Sequence, residues 1–206
     1  LINEKAREVG KTTHLSAVEA AQGMAELAKA GLNTGEVTAS ITPIVRLAGA
    51  TNHGLAETTK TVVAAMKQFG IAANDTNRIV NVFAEATRSS LLDMSSLTEA
   101  MKYAGTVGAT FGMSLEETVA VVAAFRDMGL EGSLAGTNFR MSIANLVKPT
   151  KKKTEILEKL GLTWDAVNPK GQSFLTVLEN IGATDITPDQ AMELFGKRAG
   201  TQALTL

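Results

Sequence analysis

Cysteine is absent from the 206 residues. Disulfides, thiolate metal sites and a cysteine nucleophile are thereby excluded. Histidine is nearly absent too: His14 and His53 are the only two, and aromatic residues make up 4% of the chain. A cleft lined with aromatic rings for sugars therefore lacks its material. Neither sign of charge dominates, because 20 basic residues face 21 acidic ones for a net charge of −1. The basic footprint of a nucleic-acid-binding domain is missing. The longest apolar run, Val119 to Phe125, is seven residues, whereas a membrane-spanning helix needs about twenty. The opening Leu1-Ile2-Asn3-Glu4-Lys5 has neither a start Met nor the apolar stretch of a signal peptide. Together with an end in mid-pattern at Ala203–Leu206, it reads as a piece of a longer chain.

What is present is alanine, at 30 residues, within an apolar content of 45%. Alanine is the best helix former and lets helices approach closely. The expected class is all-α: a compact multi-helix bundle of about nine or ten short helices. Ser96-Leu97-Thr98-Glu99 and Ser114-Leu115-Glu116-Glu117 fit capping boxes. Thr187-Pro188-Asp189-Gln190 adds proline at the first helical position. Gly31, Gly70, Gly129 and Gly161 follow helix-period runs, as left-handed C-terminal residues do. Leu55, Thr59, Val62 and Met66 recur at helical spacing, as do Leu115, Val119, Val122 and Phe125. The texture changes after Lys148-Pro149. Residues 1–149 are expected to form a helical core, and residues 150–206 a small C-terminal helical subdomain. In the latter, Asn168-Pro169-Lys170-Gly171 is turn chemistry. The stretch 162–173 is expected to be an irregular loop or short β-hairpin, followed by helices near 174–181 and 188–199.

One internal echo is visible. Val62 to Ile71 matches Val121 to Leu130 at an offset of 59, and a weaker third copy spans Leu15 to Leu32. Related helical hairpins, with an internal duplication in residues 1–149, are one reading. The chance likeness of Ala-rich helices ending in Gly is the other. Uneven spacing argues against a regular solenoid.

Candidate chemistry is sparse. His53 and Glu57 stand four apart, a spacing that fits one helix face, but the companion ligands of a metal motif are missing. Gly10-Lys11-Thr12 resembles the end of a phosphate loop whose earlier Gly would fall at Lys5. Gly105, Gly108 and Gly112 read as close-packing or helix-ending residues. Glu116-Glu117 sits at a helix start, where negative charge meets the positive end of the dipole. Asn74-Asp75-Thr76 fits a glycosylation sequon, but Asp75 reads better as a helix cap. Lys148-Pro149-Thr150-Lys151-Lys152-Lys153 is the one basic cluster. A solvated face is the plainer reading, and weak, salt-sensitive contact with DNA or another acidic partner is the functional one.

Several segments, taken in order, resemble the core region of phage tail tape-measure proteins. They are Ala25 to Leu32, Ala100 to Gly105, Gly112 to Thr118, Gly129-Leu130-Glu131-Gly132-Ser133-Leu134-Ala135-Gly136-Thr137 with Arg140, Leu146 to Thr150, Leu160 to Leu162, and Leu194 to Ala199. The match runs from about Ser16 to the C-terminus, and the loop at Asn168–Gly171 departs from it. The resemblance implies a phage or prophage component in the tail interior, made in the bacterial cytoplasm. Such a component helps set tail length, assemble the tube and deliver DNA. The implied partners are the tail tube protein, tail assembly chaperones and further copies of itself, with transient contact to DNA or the host envelope. It implies no cofactor, metal or small-molecule substrate, and no catalysis within these residues. The positions matching the family are Gly31, Gly70, Gly129, Gly132, Ala135, Gly136, Thr137, Pro149, Gly161, Phe195 and Gly196, most of them read as structural. A helical adaptor with a peptide groove is the alternative. Another is a virion protein whose wall-degrading domain lies outside this fragment.

Overall fold

Helix starts in this chain are set by short polar side chains. Ser16, Asn33, Asp93 and Ser114 each accept a hydrogen bond from the backbone amide three residues on, satisfying an otherwise orphaned donor of the first turn. The computed structural model describes residues 2–12, 16–197 and 199–200. His14, Leu15, Arg198 and Ala203–Leu206 lie outside them. Twelve α-helices occur among the described residues: α1 Ile2–Thr12, α2 Ala17–Lys29, α3 Thr34–Ala50, α4 Leu55–Phe69, α5 Thr76–Ser89, α6 Met94–Thr110, α7 Leu115–Asp127, α8 Gly132–Leu146, α9 Lys151–Lys159, α10 Trp164–Val167, α11 Phe174–Gly182 and α12 Pro188–Phe195. No strand occurs among those residues.

The class is all-α as expected, and the count exceeds nine or ten because short helices hide from periodicity. α10 lies inside the stretch expected to be loop or hairpin, where the Thr163 hydroxyl starts a single turn of helix. Asn168 and Gly171 form the turn that follows. The Ser96 box is corrected as well. The cap of α6 lies three residues earlier, at Asp93, whose carboxylate takes the Ser96 amide at 2.8 Å. Ser114 caps α7, but Glu117 turns outward and accepts from the Leu175 amide. Thr187 and Gln190 form the full reciprocal box. Asp75 sits at the cap position of α5 without a side-chain cap bond.

Helix ends share one device. Gly31, Gly70, Gly129 and Gly161 have φ between 65° and 95°. The amide of the apolar residue after each reaches back five residues, as from Leu32 to Leu27 and from Ile71 to Met66. Asn52 plays the glycine's part after α3, with φ 49° and the His53 amide bonded to Ala48.

Packing follows a simple rule. Within α1 to α8, every pair of helices one or two apart in sequence packs together. Odd-numbered helices thus form one row and even-numbered helices another, giving a stack of helical hairpins. In the even row the caps fall at Ser16, Gly54, Asp93 and Glu131, spaced 38, 39 and 38 residues apart. Four residues past each cap stand buried Ala20, Thr58, Leu97 and Ala135. Eight past stand Met24, Val62, Met101 and Phe139, also buried. The echo at offset 59 joins α4 to α7, which lie in opposite rows. It is therefore not the spacing at which the hairpins recur.

At the centre of the stack, α6 is touched by α4, α5, α7 and α8. The approach is close because small residues meet backbone. A methyl group on Gly132 would lie 2.3 Å from the Ser96 carbonyl oxygen, and one on Gly136 would lie 2.3 Å from that of Ala100. Gly108 receives the Thr118 side chain of α7, and Gly105 the Gln68 side chain of α4. Hydroxyls buried in these contacts are satisfied within their own helices. Thr58, Thr59 and Thr118 donate to the carbonyls of Gly54, Leu55 and Ser114. Beyond Pro149, α12 packs on α8 and on α9.

Two alanine substitutions separate packing from propensity. Gly136→Ala is expected to cost about 1–3 kcal/mol, because backbone must move to admit the methyl group. Gly49→Ala, inside α3 and facing open space, is expected to gain about 0.4–1 kcal/mol. Chemical denaturation of both variants checks this. Equal effects of the two substitutions would remove the close seam from the explanation.

Candidate functional site

No residue set expected from catalytic spacing assembles into a reactive site. His53 lies in the turn before α4 rather than on it, and Glu57 pairs with Lys60 at 2.7 Å. No group of three or more metal-ligating side chains occurs among the described residues. Gly10 and Lys11 are inside α1, where Gly10 fits against Ala17 instead of cradling an anion. Glu116 is held by Arg78 across α5 and α7, with bonds of 2.6 and 2.7 Å. That pairing lowers the carboxyl below its usual range, with burial opposing. A groove of about 390 Å³ runs between α5 and α7 and is lined by Val82, Ala86, Val119 and Ala123. Its carboxylates, Glu85 and Glu116, are tied to Arg88 and Arg78. No unpaired acid stands beside a base there.

Of the motif positions, Gly31, Gly70, Gly129 and Gly161 end other helices, and the rest lie along α8 or about its C-terminal end. Gly132 and Gly136 form the seam against α6, Ala135 between them is fully buried, and Thr137 is half-buried. α8 ends at Leu146, and Pro149 follows, exposed, ahead of the Thr150 cap of α9. Phe195 is buried, and its carbonyl accepts from the Asn145 amide at 3.2 Å. Gly196, with φ 95°, lies so close to Asn145 that a methyl group would stand 2.7 Å from its nitrogen.

The basic cluster divides into separate tasks. Lys153 is only 5% exposed. Its Nζ donates to the carbonyl oxygens of Asn145 at 2.6 Å and Lys148 at 3.4 Å. It thus closes the C-terminal end of α8, where free carbonyls and the negative end of the dipole favour a cation. Burial lowers the pKa of this amine from the usual lysine range, Glu193 opposes the shift and Lys148 adds to it. Lys152 pairs with Glu193 of α12 at 2.7 Å. Lys151 is exposed, at 4.0 Å from Glu155. Sequence reasoning took the run as one face and missed the buried member. The signal available was the Thr150 cap, which places Lys153 one turn in, on the side facing α8. Lys153→Met keeps the length but takes the charged donor away from the carbonyls of Asn145 and Lys148. It is expected to cost about 1–3 kcal/mol, while Lys151→Met stays within about 0.5 kcal/mol. Urea titration measures both. Equal, small effects would return the cluster to a plain solvated face.

The family model described as phage-related minor tail protein matches residues 3–199. The tape measure protein of Pneumococcus phage Dp-1 is 34% identical over 80% of this chain. The probable tape measure protein of Escherichia phage P2 is 26% identical over all of it. The aligned regions make up 14% and 26% of those two proteins, so the chain spans a small part of the relatives it matches. No solved structure shows a significant match. A match of the family model over nearly the whole chain is decisive: the chain belongs to the phage-related minor tail protein family.

Proposed function

We propose that the chain is a folded structural segment of a phage tail tape-measure protein, acting in the tail through its surfaces and not through chemistry. The observation that carries this is the fold itself, joined to the family match. As one continuous helix, 206 residues would span roughly 300 Å at 1.5 Å per residue. The longest helices here, α3 and α6, have 17 residues each, about 25 Å. A chain interrupted by caps and left-handed glycines at this frequency is not a measuring rod. The extended ruler belongs to other parts of the parent protein, and this segment supplies a compact element for assembly in the virion. Its partners in that role are the tube protein, the tail assembly chaperones and other copies of the parent.

The test is a deletion in the parent gene. Removing this segment in frame is expected to abolish or misdirect tail assembly. Assembled tails shortened by about 300 Å, in proportion to the residues removed, would show that the segment serves as ruler and overturn the proposal. Peptidoglycan release by the purified chain would overturn its non-catalytic part.

A further inference from the structure

α7 is apolar even where it meets solvent. Val119, Val122 and Phe125 are buried, while Ala120 of the same helix is exposed and Ala123 and Ala124 are half-buried. From Thr118 to Phe125 the helix carries no charged residue. A helix that is apolar all round is ordinarily covered on every side.

The neighbours of α7 leave that strip open. Glu116, Val119 and Ala123 turn toward α5, across the groove of about 390 Å³. Val121 and Ala124 turn toward α11, across a second groove of about 440 Å³ whose far wall is Leu175, Leu178 and Gly182. Ala120 lines both grooves. Positions three and four apart share a helix face, so the two grooves flank one ridge of alanine. α11 is built to stand in this row. Its cap, Ser173, is followed four and eight residues on by buried Val177 and Ile181, as Ser114 is by Thr118 and Val122 and Asp75 by Ile79 and Phe83. Leu175, at the edge of the second groove, is 46% exposed.

Charge sets the kind of occupant. The charged side chains lining the two grooves are Glu85, Glu116 and Glu179. Arg88 and Arg78 neutralise the first two. Glu179 is exposed, and no cation of the described residues pairs with it. Asp127, exposed at the end of the ridge, accepts from the Leu91 amide and also has no cation partner among the described residues. The result is an apolar floor with an acidic rim, the pattern of a surface that a partner covers. A helix with basic edges complements that rim. Lying along the ridge, it would place side chains in both grooves, and alanine beneath it permits close approach. It also brings its own backbone hydrogen bonds, which a surface made of helices does not offer.

We propose that the alanine ridge of α7, with its two grooves, is a docking site for a helix of another protein. That helix carries alanine- or leucine-sized residues on one face and lysine or arginine along its edges. The proposal rests on the reading that the chain acts through its surfaces, which the gene deletion tests separately.

Fluorescence anisotropy of the whole chain with labelled synthetic peptides tests the site. The probe is a peptide of about 18 residues, long enough to be helical in water, with alanine and leucine on one face and lysine on its flanks. It is expected to bind saturably. A scrambled peptide of the same composition, and one with glutamate in place of lysine, are each expected to bind roughly tenfold more weakly or worse. In the chain, Ala120→Arg is expected to weaken binding of the lysine peptide by roughly tenfold, with an unchanged circular dichroism spectrum. Glu179→Gln is expected to weaken it roughly threefold, as loss of one exposed charge pair does. No binding, equal binding of the scrambled peptide, or loss in neither variant would overturn the site. So would a chain that sediments as a dimer and becomes a monomer on Ala120→Arg, because the face would then belong to a second copy.

Discussion

The distance between α6 and α8 is the constraint on which the rest of the structure depends. Gly132 and Gly136 lie one turn apart and bring α8 directly onto the carbonyls of Ser96 and Ala100. Such proximity multiplies weak dispersion contacts, each worth little alone, along the length of two helices. It also holds the helix that carries Phe139 and Asn145. Large aromatic side chains are few and are spent elsewhere, with Phe83, Phe125 and Phe139 fully buried. Where helices touch through alanine, glycine and threonine, volume is too small to absorb an added methyl group without moving backbone. The polar atoms that accompany such small residues are kept harmless by bonding back to carbonyls of their own helix.

Much of this was legible because it is local. The all-α class follows from alanine content and helical spacing, and Leu55, Val62, Leu115, Val122 and Phe125 are buried as that spacing requires. Gly31, Gly70, Gly129 and Gly161 announce helix ends, since an L side chain is strained at positive φ and glycine is not. Asn52 escaped notice because asparagine tolerates that conformation without standing out in a sequence. The Ser96 start was misplaced for a comparable reason: Asp93 offers an equivalent cap, and only the register of the buried Met94 and Leu97 decides between them. The hairpin spacing stayed hidden because it resides in caps and buried positions, whereas the visible echo links helices of opposite rows. For Lys153 the Thr150 cap fixes only its place in the first turn of α9, and its burial depends on the end of another helix.

The same physics bears on function. The motif positions Gly31, Gly70, Gly129 and Gly161 end helices, and Gly132 and Gly136 make close contacts. Membership in the minor tail protein family and similarity to two tape measure proteins then take on a specific shape. This segment carries folded structure, built of helices no longer than 17 residues.

Small-angle X-ray scattering of the isolated chain tests that account most directly. A folded stack of this length is expected to give a radius of gyration of roughly 17–20 Å, close to that of a compact domain. A value near 50 Å, that of an unfolded chain, would contradict it. So would the profile of a rod about 300 Å long.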